Sequence, residues 1–207
     1  MIKGEMYRPM TRIQRKPKLV LVHGIFNTGS VMTWMRKQFE SQGFECFTPT
    51  LKPFDGRYGV EYAAKSLKSQ IEHEYGENQN IVIIGFSMGG IVARYYLQNL
   101  DGYARTSHLF TISSPHAGSY MAYLPYPSKA MKQLRPDSEL LQSLDESADR
   151  LNGLKLYSYR TSIDCTIVPS TSSHWELAEN KKFFVALHLS MVFSSQLTNE
   201  ILARLNE

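Results

Sequence analysis

The sequence is short of cysteine, has no long apolar run and shows no internal repeat, and each absence excludes a class of protein. Its two cysteines, Cys46 and Cys165, lie far apart and outside any paired motif, which argues against a disulfide scaffold or a zinc site. We expect both to be small, buried hydrophobic residues. No apolar run approaches the roughly 18 residues of a membrane-spanning helix. The sequence therefore predicts no stable membrane insertion.

No signal peptide is visible in the sequence. The start of the chain is polar and basic and lacks the apolar core of a signal peptide, which favours a cytoplasmic location, although a processed secreted form would look the same. The formal net charge is +4. The spacing of the basic residues near the start matches no nucleic-acid-binding motif, so we expect no nucleic-acid partner. We expect this stretch to be a solvated tail or an edge strand. Peripheral contact with anionic lipid would be only a secondary effect of its charge. This stretch contains Arg8, Arg12, Arg15, Lys16 and Lys18.

The composition is that of an ordinary globular protein, with 43% hydrophobic and 20% charged residues, and the 207 residues fit a single domain covering residues 1–207. Compact apolar runs alternate with helical periodicity along the chain. This alternation predicts an α/β fold, with a mostly parallel sheet flanked by helices. Strands are predicted at residues 18–23, 44–48, 81–84, 108–112, 154–159 and 183–187, and helices at 31–42, 60–71, 91–100 and 196–205.

The strongest chemical signal is the sequence GFSMGG at residues 85–90, which falls between a predicted strand and a predicted helix. A strand that turns sharply into a helix leaves little room at the bend. Flanking glycines let the backbones pass while Ser87 is held in a strained, reactive position. This context predicts a nucleophile elbow. A second motif, HGIFN, begins at His23 after the first predicted strand.

These motifs resemble the α/β-hydrolase superfamily, in particular its small lipases and esterases. The resemblance implies that the backbone amides of Ile25 and Met88 form the oxyanion hole. Phe26 is a neighbouring alternative for the first amide and is also predicted to line the substrate pocket. His23 is interpreted as a residue that orients its loop rather than as a catalytic group.

The resemblance continues in the second half of the chain. The sequence SPHAG at residues 114–118 is similar to the Thr-Pro-His-x-Gly stretch of many lipases, with serine in place of threonine. His116 is interpreted as part of the pocket wall, and equally as a hydrogen-bonded loop histidine. Asp164 follows a predicted strand at the place of the superfamily's acid, and His188 follows the last predicted strand. The chain order Ser87, Asp164, His188 is that of the superfamily.

Each residue type suits its role in such a triad. A serine hydroxyl becomes a good nucleophile when an imidazole takes its proton, and a carboxylate fixes the tautomer of that imidazole. His174, in a polar loop, remains the rival to His188 for the base. Three other acids are interpreted as surface charges: Asp137, Asp145 and Asp149.

Residues 114–150 interrupt the alternation and are predicted to be a short cap insertion, because long connections often form lids or binding loops. We expect its apolar residues, including Leu140 and Leu141, to form a groove for short to medium acyl chains. The sequence therefore predicts a serine hydrolase of small-molecule or lipid carboxylic esters, without cofactor or metal. A thioesterase, an acyltransferase or a non-catalytic binding module of the same fold remain alternatives.

Overall fold

The computed structural model describes residues 16–207, and its centre is a six-stranded sheet. In chain order the strands are β1 Lys18–Val22, β2 Cys46–Phe47, β3 Ile81–Phe86, β4 Thr106–Ile112, β5 Lys155–Ile163 and β6 Glu179–Ala186. Their order across the sheet is β2-β1-β3-β4-β5-β6, and every neighbouring pair is parallel. The predicted α/β class is confirmed. The part of the basic stretch that ends at Arg15 lies outside the described residues.

Helices cover both faces of this sheet. They are α1 Thr33–Ser41, α2 Val60–Tyr75, α3 Met88–Asn99, α4 Lys129–Gln133, α5 Glu139–Glu146 and α6 Ser195–Leu205. Alternate residues of β1 face opposite layers: Val20 and Val22 pack with α2 and α3, whereas Leu19 and Leu21 pack with α1 and α6. Within residues 16–207, none of the helices combines the length and the apolar character needed to cross a membrane.

Several boundaries differ from those predicted. The second strand is limited to Cys46–Phe47, because the amide of Phe44 still bonds to the carbonyl of Phe39 in the turn that ends α1. The third strand runs on to Phe86 and α3 begins two residues later, so only Ser87 separates them.

The prediction that both cysteines are buried is wrong. Cys46 is half-buried in the short edge strand, and Cys165 is exposed in the loop after β5. Cys46 pairs across the sheet only with Leu19, at one edge of the sheet. Burial, together with the nearby charge of Glu40, raises the pKa of the Cys46 thiol to about 12. Cys46 is therefore a protonated thiol at neutral pH and a poor nucleophile.

The second half of the predicted insertion is part of the core. Leu140, Leu141 and Leu144 are buried in the same cluster as α2 and α3. A polar anchor accompanies them: the fully buried guanidinium of Arg94 on α3 donates to Asp145 Oδ1 at 2.8 Å. The Arg94 guanidinium also lies 4.7 Å from the ring of Trp175, a cation–π distance. This half of the insertion is therefore fixed to the helix that follows Ser87.

We expect Asp145→Ala to lower the free energy of unfolding by about 2 kcal/mol, because it leaves the buried Arg94 cation without its carboxylate. The loss should be smaller than the roughly 3–5 kcal/mol typical of fully buried pairs, since the Asp145 side chain is itself 64% exposed. Urea unfolding provides the measurement. Glu146→Ala is the matched control, because Glu146 lies next in α5, is exposed and makes no ion pair within residues 16–207. Equal stability of the two variants would contradict the anchor.

Candidate active site

Ser87 occupies a sharp turn between β3 and α3. Its backbone has φ 55° and ψ −126°, a strained conformation for a residue with a side chain. The neighbouring glycines are required by close packing: a Cβ on Gly85 would lie 2.6 Å from the backbone nitrogen of Gly90, and one on Gly89 would lie 2.5 Å from the carbonyl oxygen of Val22. Backbone contacts therefore hold the turn in place, and the turn does not depend on the hydroxyl group of Ser87.

Asp164 and His188 come together from two loops at the carboxyl ends of β5 and β6. The imidazole Nδ1 of His188 donates to Asp164 Oδ2 at 2.8 Å. The other carboxylate oxygen accepts the backbone amides of Thr166 at 2.9 Å and Ile167 at 2.8 Å. The carboxylate is thus fixed by three hydrogen bonds, and the proton on Nδ1 leaves Nε2 of His188 as the free basic nitrogen.

The carboxylate of Asp164 is ionised at neutral pH. Burial by itself would raise its pKa, but the hydrogen bond and electrostatic attraction of His188 and the two amide hydrogen bonds together hold the pKa below its usual value. The side chain is only 2% exposed. A buried, ionised carboxylate beside an imidazole stabilises the imidazolium that forms when the ring takes up a proton.

Ser87 and His188 line one cavity of about 430 Å³ with a mostly apolar wall. The ring of Phe86 lies 4.7 Å from the His188 ring. Within residues 16–207 no hydrogen bond joins Ser87 to His188; such bonds often tighten only when substrate is bound. The apolar wall consists mainly of Ile25, Phe26, Phe86, Pro115, Met121, Ala122, Leu124, Met131, Leu134, Ile167, Leu187 and Leu189.

Two backbone amides near Ser87, those of Ile25 and Met88, are available to an oxyanion. A third amide, that of Phe26, is already bonded to the carbonyl of Phe54 at 2.7 Å. That of Ile25 has no acceptor among the hydrogen bonds of residues 16–207, and the side-chain amide of Asn27 fixes the Ile25 carbonyl at 2.9 Å. Met88 begins α3, where the first amides have no acceptor within the helix and the helix dipole favours negative charge. The geometry thus favours Ile25 over Phe26.

His23 orients the loop that carries Ile25. It is fully buried, with its Nε2 accepting the amide of Leu51 at 2.9 Å and its Nδ1 bonded to the carbonyl of Gly24 at 2.8 Å. Burial lowers its pKa, although the bond to Gly24 acts in the opposite direction. A neutral ring with one donor and one acceptor satisfies both contacts.

The interpretation of His116 as pocket wall is wrong. Its neighbour Pro115 lines the cavity, whereas His116 does not. Its ring is buried, stacks on Trp175 at 4.6 Å, and bonds to Arg94 at 3.3 Å and to Thr111 at 3.0 Å. Burial, and after it the Arg94 charge, lowers its pKa well below the usual value. Among the two interpretations given above, that of a hydrogen-bonded histidine agrees with these contacts.

Two other expectations about the cavity also need correction. Leu140 and Leu141 do not line it, because their helix packs on α3; the insertion residues that line the cavity lie between Pro115 and Leu134. Cys165 does line it, beside Asp164, although it was predicted to be a buried core residue. His174 is exposed and lies in a separate surface groove with Trp175.

The sequence analysis missed the wall residues supplied by the two loops that carry Asp164 and His188. Ile167, Leu187 and Leu189 belong to this set, and their only sequence signal is that they are apolar neighbours of the predicted acid and base. In residues 16–207 no group of three or more histidine, cysteine, aspartate or glutamate side chains is arranged to hold a metal ion.

Comparison with known proteins identifies the family. The family model for the PGAP1-like alpha/beta domain matches residues 56–203, well over half of the chain. A lysosomal thioesterase PPT2 homolog of Drosophila melanogaster is 26% identical over 121 residues, which cover 55% of this chain and 42% of that protein. A GPI inositol-deacylase of Candida albicans is 30% identical over 105 residues, covering 50% of this chain and 25% of that protein. The matches span less than half the length of these curated relatives.

Solved structures show the same architecture. The mature form of the Bacillus licheniformis lipase BlEst2 superimposes with a TM-score of 0.74, covering 92% of this chain and 91% of that one, at 17% identity. Such a likeness establishes the α/β-hydrolase fold, and the family model extends through β3 to α6, including Ser87, Asp164 and His188. The chain belongs to the PGAP1-like alpha/beta domain family, within the α/β-hydrolase superfamily of lipases and esterases.

Proposed function

We propose that this protein hydrolyses carboxylic esters through an acyl-enzyme formed on Ser87. One observation carries the proposal: His188, whose imidazole is joined to Asp164 at 2.8 Å, lines the same apolar cavity as Ser87, which is held in a strained turn. A carboxylate that orients an imidazole beside a strained serine is the arrangement that activates a hydroxyl nucleophile.

The chemistry follows from these contacts. Ser87 Oγ attacks the ester carbonyl carbon while His188 Nε2 takes the hydroxyl proton, and the amides of Ile25 and Met88 bind the oxyanion. The bond to the alcohol oxygen then breaks, and His188 returns the proton to the departing alcohol. Water attacks the acyl-enzyme in the same way, with His188 as base, and releases the carboxylic acid.

The cavity suits an acyl chain. Its wall is mostly apolar, and each methylene removed from water contributes about 0.8 kcal/mol to binding. The first half of the insertion supplies Met121, Ala122 and Leu124 to this wall and acts as the cap. The names of the two relatives, a thioesterase and an inositol deacylase, both denote release of an acyl group. A thioester is therefore the second candidate substrate, to be compared with the matching oxygen ester.

Replacing Ser87 with alanine should lower kcat on a p-nitrophenyl ester by about 10⁴-fold or more, because the nucleophile is lost. The variant should still fold, since glycine packing holds the turn. Wild-type protein should be labelled on Ser87 by a fluorophosphonate, as mass spectrometry of the labelled peptide would show. Substantial activity in a contamination-free variant, or an unlabelled wild type, would contradict the proposal and favour a binding module.

The base assignment is tested by comparing two histidines. We expect His188→Ala to reduce kcat by about 10³-fold or more, because no other imidazole lines the cavity among the described residues. The matched control is His174→Ala, which removes an exposed ring from a different groove and should leave kcat nearly unchanged. The opposite ranking of the two kcat values would assign the base to the loop of His174.

The role of the cap is tested with two leucines of equal exposure. Leu124 is 53% exposed and lines the cavity, whereas Leu177 is 51% exposed and does not. Leu124→Ser should reduce kcat/KM by a factor that grows with acyl length, up to about fourfold for each methylene that loses its apolar contact. Leu177→Ser should have no such effect. The measurement is kcat/KM over esters of graded acyl length, and an equal loss at every length would contradict a cap that contacts the acyl chain.

A further inference from the structure

The short connection at residues 53–58, between β2 and α2, joins the loop of Ile25 to the insertion. On one side its Phe54 carbonyl accepts the Phe26 amide at 2.7 Å. On the other side its Gly56 carbonyl accepts the amide of Ala130 at 3.0 Å, at the start of α4. A Cβ on Gly56 would meet that of Ala130 at 2.6 Å. The connection therefore contacts both partners through its backbone.

Asp55 stands at the centre of this connection. It is only 4% exposed, and its Oδ2 accepts both the hydroxyl of Tyr126, at 3.1 Å, and the guanidinium of Arg57, at 2.7 Å. Tyr126 belongs to the insertion, so this hydrogen bond joins the connection to the insertion and holds the tyrosine side chain. No step proposed for the reaction uses Asp55 or Tyr126, and neither residue lines the cavity.

The Tyr126 ring in turn packs on the residue next to the oxyanion amide. Its centroid lies 4.9 Å from that of Phe26, with the two rings at 87°, an edge-to-face contact. Phe26 has φ 60°, in the left-handed region, which is unfavourable for an aromatic residue unless its surroundings hold it there. The ring contact and the bond to Phe54 provide that restraint.

We propose that Asp55 is a positioning residue of the oxyanion hole, which acts through the Tyr126 ring to hold Phe26 in its left-handed conformation and so directs the adjacent Ile25 amide to the oxyanion. The inference rests on the proposed function, in which the Ile25 amide binds the oxyanion. Asp55 and Tyr126 touch neither substrate nor reacting atoms.

The charge state of Asp55 suits this role. Hydrogen bonds from Arg57, more than that from Tyr126, lower its pKa to about 2, against a smaller opposing effect of burial. The carboxylate is therefore ionised at every pH at which the hydrolase would be assayed, and it accepts a charge-assisted hydrogen bond from Tyr126. A carboxamide at this position keeps the shape of the side chain but not its charge.

The test uses Tyr126→Phe, Asp55→Asn and the double variant. Tyr126→Phe deletes one hydroxyl and keeps the ring that contacts Phe26. Each single variant should lower kcat about tenfold with little change in KM, because a misdirected oxyanion donor reduces stabilisation of the transition state but not binding of the substrate. Inhibition by a trifluoromethyl ketone, whose serine adduct carries an oxyanion, should weaken by a similar factor. The double variant should lose no more than the worse single one, since both break the same contact.

The matched control is Tyr123→Phe. Tyr123 lies in the same insertion and is 53% exposed, and its hydroxyl makes no hydrogen bond within the described part of the chain. Its kcat and its inhibition should match those of the wild type. Labelling of Ser87 by a fluorophosphonate, taken to completion, is measured on every variant, because it shows whether the nucleophile reacts at all without requiring turnover of an ester.

The outcomes distinguish failure of the positioning role of Asp55 from failure of the proposed function. Unchanged kcat in Tyr126→Phe and Asp55→Asn, with Ser87 labelled in the wild type, would overturn the positioning role and leave the proposed function intact. A change confined to KM or to Tm would equally overturn it, because Asp55 would then only dock the insertion. Independent, additive losses would also contradict a shared contact. An unlabelled wild type would instead refute the proposed function itself.

Discussion

The packing of backbone against backbone around Ser87 is the constraint on which the rest of the site depends. Gly85 and Gly89 each leave no room for a Cβ, because neighbouring main-chain atoms lie within 2.6 Å of where it would be. This packing joins β3, α3 and the end of β1 in one rigid unit and sustains a φ of 55° at Ser87. The strain is local, whereas the contacts that resist it belong to the centre of the sheet. A serine on a mobile loop would relax, and its hydroxyl would have no fixed relation to His188.

Around that unit, the insertion divides into a part that lines the cavity and a part that packs in the core. The helix Glu139–Glu146 is held by buried leucines and by the ion pair between its Asp145 and Arg94 of α3, and residues between Pro115 and Leu134 line the cavity. The buried cation costs solvation, which the carboxylate, the Trp175 ring and His116 offset together. Because α3 begins immediately after Ser87 and also contacts α5, the same helix fixes both the serine and the second part of the insertion. The position of the insertion relative to Ser87 is therefore set by one helix rather than by a series of loops.

Patterns local in sequence predicted much of the site, and contacts distant in sequence account for what they missed. The strand-GFSMGG-helix pattern located Ser87 because a tight turn imposes glycines within a few residues. The positions of Asp164 and His188 followed from strand ends and from the resemblance, and the structure brings their side chains to 2.8 Å. His116 and Leu140 were misplaced because sequence spacing cannot say which side of a loop or short helix meets the core. Cys165 was expected in the core on composition alone, yet its loop turns it to the cavity.

The loop of Ile25 shows how an alternative that the sequence leaves open depends on a distant contact. Sequence reasoning assigned the oxyanion amide to Ile25 and kept Phe26 as a neighbouring alternative, since both follow the same His-Gly pair. The decision depends on one hydrogen bond: Phe54, almost thirty residues downstream, accepts the Phe26 amide and thereby commits it. A peptide group offers one amide, and an amide bonded at 2.7 Å to a carbonyl cannot also stabilise a developing charge without breaking that bond. Within the proposed function, the choice of Ile25 over Phe26 as the oxyanion donor thus depends on a hydrogen bond to a residue outside the motif.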